Sequence, residues 1–206
     1  SAASDVYKRQ DFRKKLWKAP EGGMLEGETE FLTSSAFGNF ESRLSEYASV
    51  KFRPAEGNCD DFTVGASTAY PLMRVEEMCF IEAESAAQLG DGQAATLLNN
   101  FMMTYRDPDY VCNATGQELI DEIIFQKRIE LWGEGQSFFD IKRLNMSVER
   151  GYTGTNFSPA VCFNTNGRPA WMNICIVQSE KNNNSALIGF ENPDPSGAYD
   201  VWVDPC

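Results

Sequence analysis

The chain has 206 residues, of which 42% are hydrophobic and 23% charged, and its formal net charge is −12. This length suits one domain, or a large part of one, that buries about 70% of its unfolded surface. The acidic balance argues against nucleic-acid binding and against electrostatic docking to anionic lipid, because both need a basic surface. The sequence contains no histidine, which excludes Ser-His-Asp and Cys-His catalysis and the zinc sites that use histidine.

The six cysteines and the acidic loops do not predict a metal site. No two cysteines form a CxxC pair, so a thiolate site is not expected. If disulfides form, Cys162 and Cys175 are the best candidate pair. Asp60 and Asp61 are adjacent in a polar loop, where a solvated loop is favoured over a calcium site. We therefore expect neither a metal nor a cofactor.

The first part of the chain has weak periodicity. Residues 19–37 are rich in Gly, Glu, Ser and Thr and predict a loop, while 47–54 alternate in polarity and predict a short strand. No apolar run approaches the roughly 18 residues that span a bilayer.

Two helices are predicted next, separated by Gly90. The first has an apolar face that consists of Leu72, Val75, Cys79, Ala83 and Ala86. The second, which ends near Pro108, has an apolar face that consists of Ala94, Leu97, Leu98, Phe101 and Met102. Because the turn between them is short, we expect an antiparallel pair.

The cleanest helical period lies at 115–144. Ile123 and Ile124 are predicted to lie in the core, as is Trp132. Gly133 and Gly135 should interrupt the helix, because glycine disfavours a helix interior and readily adopts left-handed dihedrals. A second helix is predicted from 136, and we expect it to form a hairpin with the first. Its predicted apolar side consists of Phe138, Phe139, Ile141 and Leu144.

Charged residues in this stretch lie among large apolar ones. Two interpretations remain open. The charges form either a solvated face or an ion-pair network that links Arg128, Glu130 or Glu134, and Asp140. Such a network fixes geometry more than it stabilises. After 145 the chain is irregular, with a few short strands at most.

Three segments resemble the SusD/RagB family of outer-membrane lipoproteins of Bacteroidetes. They are YPLMRVEEMCFIEAESAAQLG at 70–90, QKRIELWGEGQSFFDIKR at 126–143 and IVQSEKNNNSALIGFENPDP at 176–195. They occur in the order that the family has. DFRKKLW at 11–17 is similar to a fourth family segment, with Phe12 where proline is usual.

The resemblance implies a fold, a location and a function. The fold would be mainly α, with tetratricopeptide-like helical hairpins, long irregular loops and a few short strands. The parent would be lipid-anchored at the surface of the outer membrane, where it would bind a glycan or other nutrient oligomer and deliver it to a SusC-like TonB-dependent transporter. We expect 11–206 to be the C-terminal portion of such a domain, and 1–10, which resemble a translated adaptor sequence, to be a non-native leader.

Loop aromatics are the first candidates for sugar contacts, because flat rings stack on the C–H faces of sugars. The candidates are Trp17, Tyr152, Phe157 and Trp171. Each is also open to a packing role.

Two other functions remain open. A helical scaffold that binds only another protein would use the surfaces of the helix pairs. A glycoside hydrolase would need two carboxyls at a set distance, and Glu130 and Glu134 are one helical turn apart. These glutamates lie in a motif that resembles a non-enzymatic family, so no catalytic residue is predicted.

Overall fold

The computed structural model describes residues 11–18, 44–169 and 172–190, together with the backbone of 202–203. It divides into two compact units, Ser1–Glu130 and Leu131–Cys206. The first unit contains helices α1 (Phe62–Gly65), α2 (Val75–Gln88), α3 (Ala94–Tyr105) and α4 (Gly116–Glu130). The second contains α5 (Gln136–Arg143) and α6 (Gln178–Asn183), and β1 (Asn164–Thr165) pairs antiparallel with β2 (Trp202–Val203). The predicted mainly α fold with few short strands is confirmed.

The core of the first unit lies where α2 packs against both α3 and α4. Phe80 of α2 meets Phe101 of α3 edge to face, with ring centroids 5.0 Å apart, and Ile123 of α4 is fully buried. The turn between α2 and α3 contains Gly90 at φ +70°, and the two helices pack on each other as a helical hairpin, consistent with the predicted tetratricopeptide-like fold. Among the described residues, none of the helices combines the length and the apolar character that crossing a bilayer requires.

Polar contacts attach the segment after α3 to this core. Asn99 of α3 donates from Nδ2 to the carbonyl oxygen of Cys112 at 2.9 Å and accepts from its amide at 2.7 Å. Tyr110 is buried, and its hydroxyl donates to Glu122 of α4 at 2.6 Å. These bonds satisfy polar groups that would otherwise be costly to bury.

The break after α4 lies where the glycines predicted it. Gly133 and Gly135 both have left-handed dihedrals, with φ of +79° and +86°, and α5 begins at Gln136. Ile123 and Ile124 are buried as predicted.

Two predictions about apolar residues are wrong, and a third is wrong in part. Trp132 is 42% exposed, because it lies in the turn after α4, where the adjacent Leu131 is the buried residue. Phe138 and Phe139 are exposed on α5, whose buried residue is Asp140. On α2 the predicted face is right in part: Cys79, Ala83 and Ala86 pack on the core, whereas Leu72, which precedes the helix, and Val75, its first residue, are exposed. Only on α5 is the buried face of the helix shifted; Trp132 and Leu72 lie outside the helices to which they were assigned.

The predicted disulfide is also wrong. Cys162 is disulfide-bonded, whereas Cys175 keeps its thiol, so these two cysteines are not joined to each other. The predicted strand at 47–54 is reduced to a single bridge between Trp17 and Ser49.

Candidate functional site

A buried carboxylate, that of Glu130, lies at the centre of an ion-pair cluster in the first unit. Arg106 binds it through two hydrogen bonds, from Nε to Oε2 at 2.7 Å and from Nη2 to Oε1 at 2.8 Å. Arg74 Nη2 lies 3.3 Å from Oε1, and Arg13 Nη1 lies 3.8 Å from Oε2. The Glu130 side chain is 6% exposed, so these three guanidinium groups replace the water that a carboxylate needs.

A second layer of contacts holds the arginines. Asp11 accepts from Arg13 Nη2 at 2.7 Å, and the Gln126 side-chain carbonyl accepts from the same nitrogen at 2.5 Å. Glu76 lies 3.0 Å from Arg74 and 3.3 Å from Arg106. The cluster therefore joins the segment 11–18, the start of α2, the end of α3 and the end of α4.

The cluster shifts two pKa values in opposite directions. Burial alone would raise the pKa of Glu130, but the hydrogen bond from Arg106 and the charges of the three arginines outweigh it and lower that pKa below its ordinary value. The hydrogen bond to Glu130 raises the pKa of Arg106. Glu130 is thus held as a carboxylate, which does not suit a general acid at neutral pH.

A cleft of about 320 Å³ lies beside the cluster. Its apolar walls are Phe12, Leu16, Trp17 and Ile129, and its polar wall is the arginine cluster itself. The cleft brings the half-buried Trp17, one of the predicted sugar contacts, next to Arg74 and Arg106. A ligand in this cleft could contact the Trp17 ring, whereas the arginine side chains beside it are already paired with Glu130.

A larger pocket of about 450 Å³ lies elsewhere in the first unit, between the loop at 49–60 and α1. Phe52 and Phe62 contribute aromatic rings to it, and Asn58 and Asp60 contribute polar side chains. Its lining also includes Cys59, whose thiol pKa is raised by burial and then by the charge of Asp60. The thiol therefore stays neutral at physiological pH.

Helix α1 is positioned by its cap and by a glycine contact. Asp61 Oδ1 accepts from the Thr63 amide at 2.8 Å and from its hydroxyl at 2.6 Å, which starts the helix at Phe62. Gly65 packs so closely on the preceding loop that an added Cβ would lie 2.7 Å from the carbonyl oxygen of Asn58. Asp61 therefore acts as a helix cap. In the part of the chain that the structure describes, no group of three or more acidic or cysteine side chains is arranged to bind a metal ion.

The predicted sugar-contacting residues fall in different places. Trp17 belongs to the first unit, whereas Tyr152 and Phe157 belong to the second and are partly exposed. The Phe157 ring lies 5.2 Å from the guanidinium carbon of Arg150, which also lies 4.5 Å from the Phe163 ring. Trp171 lies outside the described residues. The role of all four as ligand contacts stays a prediction.

The predicted ion network has a different membership in the structure. Glu130 is its centre, but the described partners of Glu130 are Arg13, Arg74 and Arg106. Arg128 lies on the exposed side of α4. Asp140 is buried and pairs with Arg143 at 2.7 Å, one turn along α5, and Glu134 is half-buried. Arg128 is excluded from the cluster because residues 128 and 130 lie on different sides of the same helix.

Sequence reasoning missed Arg13, Arg74 and Arg106 as partners of Glu130, and Phe52 and Phe62 as pocket walls. Arg13 and Arg74 do lie inside segments that carry the family resemblance, which was the available signal. Phe52 and Phe62 flank a polar turn, a pattern that single-sequence reasoning cannot distinguish from an ordinary loop.

Comparisons with known proteins agree with this architecture. The model of the SusD family matches residues 38–190. A curated SusD-like protein of Formosa agariphila is 32% identical over 116 residues, which are 52% of this chain and 21% of that protein. A solved structure, a SusD-like carbohydrate-binding protein from Bacteroides vulgatus, superposes with a TM-score of 0.56 at 26% identity, over 91% of this chain and 40% of that one.

Because the family match extends over most of its length, the chain belongs to the SusD family. The resemblance seen in the three sequence segments is therefore confirmed. The chain spans about a fifth of the curated relative and two fifths of the solved one.

Proposed function

We propose that the protein captures a glycan, or another nutrient oligomer, at the cell surface and delivers it to a partner TonB-dependent transporter without chemical change. The observation that carries this proposal is membership of the SusD family across 38–190. The solved relative that superposes on 91% of the chain is described as carbohydrate-binding, which supports the choice of a glycan. On the same ground we infer that the parent is a lipid-anchored outer-membrane protein of Bacteroidetes and that 11–206 form its C-terminal portion.

The geometry supports binding better than catalysis. Glu130, one of the two carboxylates that a hydrolase reading would use, is neutralised by three arginines and has a lowered pKa. A glycosidase acid needs a raised pKa instead. Trp17, Tyr152, Phe157 and Trp171 remain proposed ligand contacts on this reading.

The test is isothermal titration of the chain with maltohexaose, laminarihexaose, mannohexaose and xylohexaose. We expect saturable binding to at least one, with an affinity that changes little between low and high salt, because a neutral sugar neutralises no charge. Chromatography of the same mixtures should show intact oligosaccharides. Cleavage products would support a hydrolase instead, and the absence of binding to all four would contradict glycan capture by this chain.

The helical scaffold remains a second candidate because of one observation on α2. Leu72 before the helix, Val75 at its first residue and Leu89 just after its last residue are each at least three-quarters exposed. Such exposed apolar side chains are accessible to a protein partner, which helix pairs of this kind bind through their surfaces. Light scattering of a Val75→Ser, Leu89→Ser variant would test it: a scaffold should lose self-association or transporter binding in the variant, and neither the variant nor the wild-type chain should bind a glycan.

A further inference from the structure

We propose that the pocket between Phe52 and Phe62 is a sugar subsite that receives one pyranose ring of a neutral glycan. The proposal rests on the proposed function of glycan capture and adds the location of the contact. The pocket volume of about 450 Å³ lies within the usual range of about 300–1,000 Å³ for small-molecule sites.

The first argument concerns the aromatic rings. A single exposed apolar side chain is ordinary on a protein surface. Phe62, however, is 84% exposed at the edge of a concave pocket whose lining also includes Phe52. Phe52 is held by a stacked contact with Tyr70, with ring centroids 5.6 Å apart and planes inclined by 8°. Two rings bordering one cavity, one of them already fixed, provide the flat apolar surfaces on which the C–H faces of a sugar can stack.

The second argument concerns the polar groups at the same pocket. Asn58 Oδ1 accepts from the backbone amides of Asp60 at 3.0 Å and Asp61 at 2.9 Å. These two bonds fix the plane of the carboxamide, so its NH₂ group is oriented before any ligand arrives. The exposed carboxylate of Asp60 supplies acceptor oxygens. A sugar hydroxyl both donates and accepts, and this pair of side chains can meet both needs.

The third argument is the rigidity of the Phe62 side of the pocket. The cap formed by Asp61 and the close contact of Gly65 with the Asn58 carbonyl fix α1 against the loop that carries Asn58. The aromatic wall and the amide wall are therefore held at one spacing. A preformed site of this kind loses little conformational entropy when a ligand binds.

The experiment is isothermal titration of the chain and three variants with the four hexasaccharides named above. Phe62→Ala removes one ring, and Asn58→Asp keeps the two acceptor bonds to backbone amides but removes the NH₂ donor. We expect each to weaken binding by about tenfold or more, because one good contact is equivalent to roughly a factor of ten in the dissociation constant. Phe190→Ala is the matched control, since Phe190 is 78% exposed and does not line this pocket.

Circular dichroism and melting temperature establish that each variant is folded; Phe62 is so exposed that its loss should leave both unchanged. Wild-type affinity in both Phe62→Ala and Asn58→Asp, with the wild-type chain binding a hexasaccharide, would overturn the pocket assignment and leave glycan capture standing. If the wild-type chain bound none of the four, glycan capture and the pocket assignment would both fail. An equal loss in Phe190→Ala would also overturn the assignment, because the effect would then not be specific to this pocket.

Discussion

Replacing Glu130 by Gln should destabilise the first unit strongly. The substitution keeps the shape of the side chain and removes its charge, so Arg13, Arg74 and Arg106 would lose the carboxylate that they share. Because the site is buried, water cannot readily replace the missing charge. The three guanidinium groups would then repel one another, with Asp11 and Glu76 left to balance part of their charge.

The magnitude follows from the contacts. Removing one partner of a buried ion pair costs about 3–5 kcal/mol. Glu76 would remain 3.0 Å from Arg74 and 3.3 Å from Arg106, so part of the positive charge would still be balanced. We therefore expect a loss near the lower limit, about 3 kcal/mol at neutral pH, which is a large part of the roughly 5–15 kcal/mol that stabilises a typical domain.

The loss should depend on pH in a defined direction. The folded-state pKa of Glu130 lies below its ordinary value of 4.5, so the unfolded chain takes up this proton first as the pH falls. The stability that the carboxylate contributes is therefore complete above about pH 4.5 and decreases below it, as the pH falls through the lowered folded-state pKa. The free energies of unfolding of wild type and Glu130→Gln should converge in acid.

Urea unfolding followed by circular dichroism at a series of pH values measures this difference. Glu82→Gln, on the exposed face of α2, is the matched control and should change stability by less than about 0.5 kcal/mol. The reasoning would be refuted if Glu130→Gln were as stable as Glu82→Gln at neutral pH. It would also be refuted if the difference in free energy of unfolding between wild type and Glu130→Gln became larger in acid.

Three further substitutions test other parts of the first unit. Ile123→Ala should lower the free energy of unfolding by about 2–5 kcal/mol, because it leaves a cavity in the core. Its control, Ile188→Ala, changes a 73% exposed site in the second unit and should lower that free energy by less than about 0.5 kcal/mol, both measured by urea unfolding. Asn99→Ala should cost about 1–3 kcal/mol in the same assay, because the amide and carbonyl of Cys112 lose their partners; a neutral result would show that water replaces them. Gly65→Ala should displace α1, because the new Cβ would lie 2.7 Å from a carbonyl oxygen, and faster hydrogen exchange confined to α1 and its loop would report the shift; unchanged exchange would contradict it.

Local periodicity predicted the helices better than it predicted their surroundings. The glycines after α4 placed the break correctly, because left-handed dihedrals are a local property of those residues. The exposure of Trp132 could not be predicted in this way, because periodicity indicates that a face is apolar but does not indicate which element covers it.

The candidate sites were less predictable because their members are far apart in sequence. Arg13 and Glu130 are separated by more than half of the chain, and the Glu130 cluster forms only because α2, α3 and α4 pack together and the segment 11–18 docks against them. The pocket of Phe52 and Phe62 depends in the same way on how α1 lies against its loop, a contact that no spacing rule specifies.

The burial of Arg13 has a consequence for proteolysis. Arginine is the residue that trypsin recognises, yet this guanidinium is held by Asp11 and Gln126, and the adjacent amide of Phe12 donates to the carbonyl of Arg106 at 3.0 Å. A protease must take both the extended backbone and the arginine side chain into its own active site, so the whole segment would first have to separate from the charge of Glu130. Cutting after Arg13 therefore requires the segment 11–18 to detach first, and the rate of cleavage would measure the free energy of that local opening.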